Sequence, residues 1–182
     1  DVRYPAKIFS VWSASELNNI GIYEVVFDNS NKKNEKWYIN TNQSYDFDGN
    51  EVTASYGTAT AKAHADTLWT QNEIDDGDAP EGTLPEDVKT RGLKYNLIKN
   101  LKSQVANELA KTDWYITRNT EKETAIPSAI STHRDAVRTK QAEMETAITN
   151  ASDTPALETL YTYIRTDGVT SRPLGELPIL ES

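Results

Sequence analysis

The sequence has no cysteine, one methionine, two histidines and three phenylalanines in 182 residues. Without cysteine there can be no disulfide, no thiolate nucleophile and no cysteine-based zinc site. The two histidines, His64 and His133, cannot build a histidine cluster, and no H-x-x-x-H spacing occurs. No apolar run approaches the roughly 20 residues of a membrane-spanning helix. The opening Asp1-Val2-Arg3-Tyr4-Pro5 lacks signal-peptide architecture, so no secretory leader is expected. Positive charge is also scarce: 19 Lys and Arg stand against 28 Asp and Glu, a net charge of −9. Phosphate backbones and anionic membranes both need clustered cations, so neither nucleic acid nor membrane is expected as a partner. The phosphate-binding, dinucleotide-binding and nucleophile-elbow motifs are missing as well. The expectation is therefore a chain that is not an enzyme and holds no cofactor or metal.

Hydrophobic residues make up 37% of the chain, enough for a modest core. Part of its apolar surface is then expected to be covered by neighbouring molecules.

Residues 1–70 read as a β-rich head. Lys7 to Val11 alternates like a strand. Ser13 with Glu16 forms a capping-box pattern, Trp12 and Leu17 match a hydrophobic staple, and Gly21 suits a helix C-terminus. Ile22 to Phe27 reads as a strand, and Trp37-Tyr38-Ile39 is expected to pair with it. Asp48-Gly49-Asn50 separates two further strand patterns as a hairpin would. Ala59 to Trp69 reads as a short helix.

Residues 71–90 carry Asp75, Asp76, Gly77, Asp78, Pro80, Gly82 and Pro85 and read as an acidic linker. In 91–166, Leu93, Leu97, Leu101, Val105 and Leu109 recur every four residues as one helical stripe. Asp113 to Arg118 reads as a short extended piece. A second helix opens near Pro127 and Ser128, and a third near Asp153 to Pro155. Residues 167–182 read as an extended tail bearing Leu174, Leu177, Ile179 and Leu180. The predicted class is α+β: a small antiparallel β-rich N-terminal unit with a short capped helix, a helical C-terminal half and an extended tail.

Candidate chemistry is sparse. Asp46, Asp48, Asn50 and Glu51 resemble part of a calcium loop, but the glycine falls at the wrong place and a hairpin turn explains them. Four tryptophans, Trp12, Trp37, Trp69 and Trp114, could line a carbohydrate cleft with a carboxylate pair; core packing is the plainer role. His133, Arg134 and Asp135 are adjacent on a helix and so do not face one another. Trp114, Arg134 and Arg138 stand out. The two arginines are four apart, on one helix face. They serve either as a solvated helix edge with Trp114 in the core, or as an interface in which guanidinium forks meet a partner's carboxylates around an aromatic anchor. The candidate interface is Trp114, Arg134, Arg138, Leu174, Leu177, Ile179 and Leu180, with the apolar tail expected on a partner chain.

Two stretches carry a family resemblance. One is Trp12-Ser13-x-x-Glu16-Leu17-x-x-Ile20-Gly21-Ile22-Tyr23-x-Val25, which resembles the opening of many tailed-bacteriophage tail proteins. The other is Asp113-Trp114-Tyr115-Ile116-Thr117-Arg118, followed by Ile126 to Ile130 and His133 to Arg138. It is similar to a segment near the C-terminus of tail proteins and tail-fibre assembly proteins, where an Asp-Trp element precedes an "R-x-A-x-R" helix. Ala142 to Ile148, continuing to Leu160-Tyr161, looks like marine phage virion proteins. The resemblance implies a structural component of a tailed-phage virion, in the tail, baseplate or fibre attachment. Such a protein is made in the host cytoplasm and resides in the virion. Its partners are other tail or virion proteins, and it self-associates within the particle. Assembly proteins carry a second aromatic where this chain reads Ser131-Thr132-His133-Arg134, which ranks a tail-fibre assembly chaperone second. A carbohydrate-binding tail module ranks third. No catalytic residues are implied.

Overall fold

The computed structural model describes residues 3–180 and contains both helices and strands, an α+β protein. It divides into two compact units, 1–61 and 62–182. The expected divisions at 70 and 90 therefore give way to one between Ala61 and Lys62.

The first unit opens with two short helices, α1 (Ile8–Val11) and α2 (Ala14–Asn18). The strand expected over Lys7 to Val11 is thus a single helical turn. Pro5 lies just upstream, and its carbonyl accepts from Ile8 N at 3.1 Å; Ile8 alone of the turn is buried. A five-residue alternation cannot separate one helical turn from a short strand. In α2 the capping box is present: Ser13 N donates to Glu16 Oε2 at 2.8 Å, and Glu16 N donates to Ser13 Oγ at 3.4 Å. After α2 the chain leaves by a Schellman pattern, with Ile22 N on Leu17 O and Gly21 N on Asn18 O, both at 3.0 Å. Gly21 supplies the required left-handed backbone at φ +81°.

Five strands follow: β1 (Val25–Asp28), β2 (Tyr38–Ile39), β3 (Gln43–Phe47), β4 (Val52–Tyr56) and β5 (Thr60–Ala61). The hairpin at Asp48-Gly49-Asn50 forms as expected and joins β3 to β4 with Phe47 opposite Val52. Asp48 Oδ1 accepts from Asn50 N at 2.8 Å and Glu51 N at 2.9 Å, so this carboxylate builds the turn. Those backbone bonds, that of Glu51 first, hold Asp48 below the usual carboxylate range. Two pairings differ from expectation. β1 lies parallel to β4, so the three-stranded sheet, in order β1-β4-β3, is mixed. β2 pairs antiparallel with β5 and not with β1. The intervening loop closes on itself, because the Asn40 amide bonds both Lys33 N (2.8 Å) and Lys33 O (2.9 Å). A tight hairpin from β1 is thereby replaced by a self-contained turn.

The second unit begins with β6 (Thr67–Leu68), α3 (Gln71–Asp75) and β7 (Val88–Thr90), β6 and β7 being antiparallel. The helix expected over Ala59 to Trp69 is absent; the stretch holds β5 and β6. The reason lies at the start of α4 (Leu93–Ala110). Its cap residue, Gly92, has no side chain to satisfy the first N–H groups. The carbonyls of Ala63 and His64 do so, accepting from Leu93 N (3.0 Å) and Lys94 N (2.9 Å). Asp66 adds its carboxylate to Gly92 N (2.7 Å) and Arg91 (2.6 Å). A helix through 63–66 would direct those carbonyls into its own ladder. A Cβ on Gly92 would lie 2.3 Å from the Ala65 carbonyl carbon and oxygen. Gly92→Ala should therefore cost about 2 kcal/mol by forcing the two segments apart. Urea unfolding measures the loss; a change below about 0.5 kcal/mol would remove the close approach as its cause.

The acidic stretch expected to be a linker is folded. Thr70 and Glu73 form a second capping box on α3, and Lys89 Nζ reaches Glu73 Oε1 at 2.5 Å. Trp69 exchanges backbone bonds with Asp87 O (2.8 Å) and Glu86 N (3.0 Å), beneath Lys89 at 4.3 Å from its ring. The Lys89 hydrogen bond, with those from Thr70, lowers the Glu73 carboxyl to about 2. Its folded pKa is depressed, so its stabilisation is present above the ordinary value of 4.5 and fades as pH falls toward 2. Carbon NMR of the Glu73 carboxyl should show a midpoint near 2, and a midpoint near 4.5 would mean the Lys89 bond is absent in solution.

The remaining elements are α5 (Asp113–Lys122), α6 (Ser128–Asn150), α7 (Thr154–Tyr161), β8 (Ile164–Thr166) and β9 (Val169–Ser171). α4 packs on α6 through Leu97, Leu101 and Val105 on one side and Ile130, Val137, Met144 and Ile148 on the other. Asp153 caps α7 by accepting from Ala156 N at 2.8 Å, and Leu157 is fully buried. Asp113 to Arg118, expected to be extended, is helical. Its aromatic and β-branched residues suit a strand, but no strand among the described residues pairs with it, and local helix formation satisfies its backbone. The expected extended tail also opens differently, with a β8–β9 hairpin across Asp167 and Gly168, both at positive φ.

Candidate interaction surfaces

The two arginines singled out by spacing have different environments. Arg134 is 8% exposed. Its guanidinium donates to Leu109 O (2.8 Å), Thr112 Oγ1 (2.7 Å) and Asp113 Oδ1 (2.9 Å). The cation lies at the C-terminal carbonyls of α4, where the helix dipole favours it, and pairs with Asp113, an acid in the first turn of α5, where that dipole favours an anion. Arg138 is exposed and holds Asp135, one turn back on its own helix, at 3.2 Å. Their four-residue spacing does not make a shared docking face: Arg134 ties α6 to the α4–α5 junction, and only Arg138 is open to solvent.

Beside Arg134, His133 is buried with Nε2 3.4 Å from Glu108 Oε1. The other Glu108 oxygen binds Lys111, and that bond holds the Glu108 carboxyl below its usual range, assisted by the charges of Lys111 and His133. This cluster joins α4 and α6.

Trp114 is 51% exposed, so it is not a core residue. Its ring lies 3.8 Å from that of Tyr115, with Arg118 at 4.9 Å over Trp114. No residue of α5 is buried. Exposed Trp114 and half-buried Arg118 together form an aromatic–cation patch, the residue types that dominate protein interfaces. Trp37 is buried, Trp12 packs edge-on against Tyr4 at 5.5 Å, and Trp69 lies under Lys89.

In the tail, Leu174 is buried and its N–H donates to Leu160 O at 3.0 Å. Arg172 sits 5.3 Å from both Tyr161 and Tyr163 and binds Glu176 at 2.8 Å. Leu177 and Leu180 are half-buried, whereas Ile179 is 81% exposed. The part of the proposed arm through Leu174 is therefore docked on its own chain, and Ile179 remains outward.

Spacing also missed a surface in the first unit. Among its described residues the buried apolar ones are Ile8, Trp37 and Ala54, while Phe9, Val11, Phe27, Ile39, Tyr45 and Phe47 are exposed. The strand registers place Val25 and Phe27 of β1 on the same sheet face as Tyr45 and Phe47 of β3, across Val52 and Ala54 of β4. An alternating pattern says which residues share a face, not whether anything covers it.

Among the described residues no group of three or more His, Asp or Glu could hold a metal ion, and no helix is long and apolar enough to cross a membrane. No family model, curated protein or solved structure matches the chain.

Proposed function

We propose that the protein is a structural component of a tailed-phage virion, sited in the tail, baseplate or fibre attachment, and that it works through protein–protein contacts without catalysis or cofactor. The two stretches similar to tail proteins, around Trp12 to Val25 and Asp113 to Arg138, supply the phage assignment. The observation that best supports a contact role is the uncovered apolar surface of the first unit, where Phe27 and Tyr45 are 61% and 65% exposed beside a buried Ala54. A unit of about 60 residues is marginal on its own core, and burial of such side chains against a neighbour stabilises it. Exposed Trp114, with half-buried Arg118 against its ring, adds a second contact patch on the helical unit.

A tail-fibre assembly chaperone is the second reading, favoured by the Asp113-Trp114 element followed by the Arg134 helix. Density-gradient fractionation of an infected lysate separates the two. A virion component sediments with intact particles; a chaperone stays with unassembled fibre protein at the top of the gradient.

A further inference from the structure

Strand β1 is one edge of the three-stranded sheet, and no strand among the described residues pairs with its outer side. Val52 N donates to Glu24 O at 3.0 Å, which turns the main-chain groups of Glu24, Val26 and Asp28 toward β4. Alternate residues of a strand aim N–H and C=O at opposite edges, so Val25 and Phe27 aim theirs outward. The side chains alternate as well. Val25 and Phe27 stand on the apolar face, and Glu24 and Asp28 stand on the opposite face at the two ends of the strand. Asp28 accepts from Ser30 N at 2.9 Å, which keeps it anionic, and Glu24 has no ion pair among the described residues.

We propose that the outer edge of β1 accepts an extended segment of a partner protein, with apolar side chains beside Val25 and Phe27 and basic side chains beside Glu24 and Asp28. Four outward main-chain groups supply the pairing, and the alternating side chains supply selectivity. Charge selects this occupant over a second copy of the chain. Two β1 edges placed together would set Glu24 against Asp28 in the antiparallel sense, or like residue against like in the parallel sense. The other free edge, β3, carries Asp46 and leads into Asp48. The inference deepens the assembly role proposed above by giving one partner its chemistry. It is tested apart from that role: a failed peptide titration with the protein present in particles removes this edge alone.

The experiment is an anisotropy titration of labelled, end-blocked peptides with the full chain at low salt. One peptide centres on Lys-Val-Thr-Val-Lys and the other on Glu-Val-Thr-Val-Glu, patterns that put charge and apolar groups on opposite faces. The basic peptide should bind saturably and the acidic one at least about tenfold more weakly, the gap narrowing as salt rises. Glu24→Lys, an exposed change, should weaken the basic peptide about tenfold and strengthen the acidic one. Val25→Pro removes an outward N–H while sparing the ladder to β4, as prolines on edge strands do, and should abolish binding of both. Circular dichroism checks that each variant is folded, and Glu24→Lys carries the test if Val25→Pro is not. Equal binding of the two peptides, no saturation of the basic peptide into the millimolar range, or indifference to Glu24→Lys would overturn the proposal. So would self-association of the chain that Val25→Pro abolishes, because a second copy would then be the occupant.

Discussion

Arg134→Ala should lower the unfolding free energy by about 3 kcal/mol, measured by urea denaturation followed at 222 nm. The side chain is nearly fully buried and donates to Leu109 O, Thr112 Oγ1 and Asp113 Oδ1. Charge-assisted bonds contribute more than neutral ones, and truncation removes the donor to the buried Thr112 hydroxyl oxygen and the cation paired with Asp113, while Leu109 O keeps its bonds from Thr112 N and Oγ1. The loss should also loosen α5, which has no buried residue of its own and begins at Asp113. Hydrogen exchange along 113–122 should therefore rise more than along α4. Arg138→Ala is the control. Its exposed pair with Asp135 contributes at most about 0.5 kcal/mol. Equal effects at the two positions would mean that Arg134 does not join the helices as described.

Leu174→Ala should cost the isolated chain about 3 kcal/mol, because Leu174 is 3% exposed and its backbone is tied to Leu160. Ile179→Ala, at a side chain in open solvent, should change stability by less than about 0.5 kcal/mol. A tail that docks wholly on a partner would reverse this expectation, since neither substitution would then affect the isolated chain. The pair of substitutions thus divides the C-terminal segment into a self-docked portion and an outward one.

These two residues also mark how far the sequence was legible. Strong local signals held. The Ser13–Glu16 capping box, the Asp48-Gly49 hairpin, the four-residue leucine stripe of α4 and the Asp153-Thr154-Pro155 start of α7 each depend on neighbours within a few positions. Readings that depended on distant partners failed. Residues 63–66 resemble helix in composition, but α4 needs their carbonyls, and that demand arises from Gly92, far along the chain. The pairing of β1 with β4 likewise rests on a non-local contact that no turn motif announces. Lys89 comes only after the run of acids, glycines and prolines from Glu73 to Asp87 that it helps to order, so 71–90 carries no local sign that it folds.

The candidate site divided in the same way. Helical periodicity placed Arg134 and Arg138 together, yet a four-residue step spans about 400° of helix turn, so adjacent stations can fall on either side of a burial boundary. Ile130, Val137, Met144 and Ile148 define the buried stripe of α6, and Arg134 borders it while Arg138 does not. The string Asp167-Gly168 is a hairpin signal in its own right, but the prolines and leucines that follow it carry the stronger pattern of an extended arm. The exposed aromatic face of the first unit had no comparable signal. Its residues alternate like those of a covered sheet, and only the structure shows how much of each side chain is left outside.

The assignment as a virion component is tested most directly by quantitative mass spectrometry of gradient-purified phage particles. The chain should be present at a fixed number of copies relative to the major tail protein, unchanged between preparations and retained after a salt wash. A chain abundant in the infected lysate but absent from purified particles, or present at a ratio that falls with each purification step, would contradict that role.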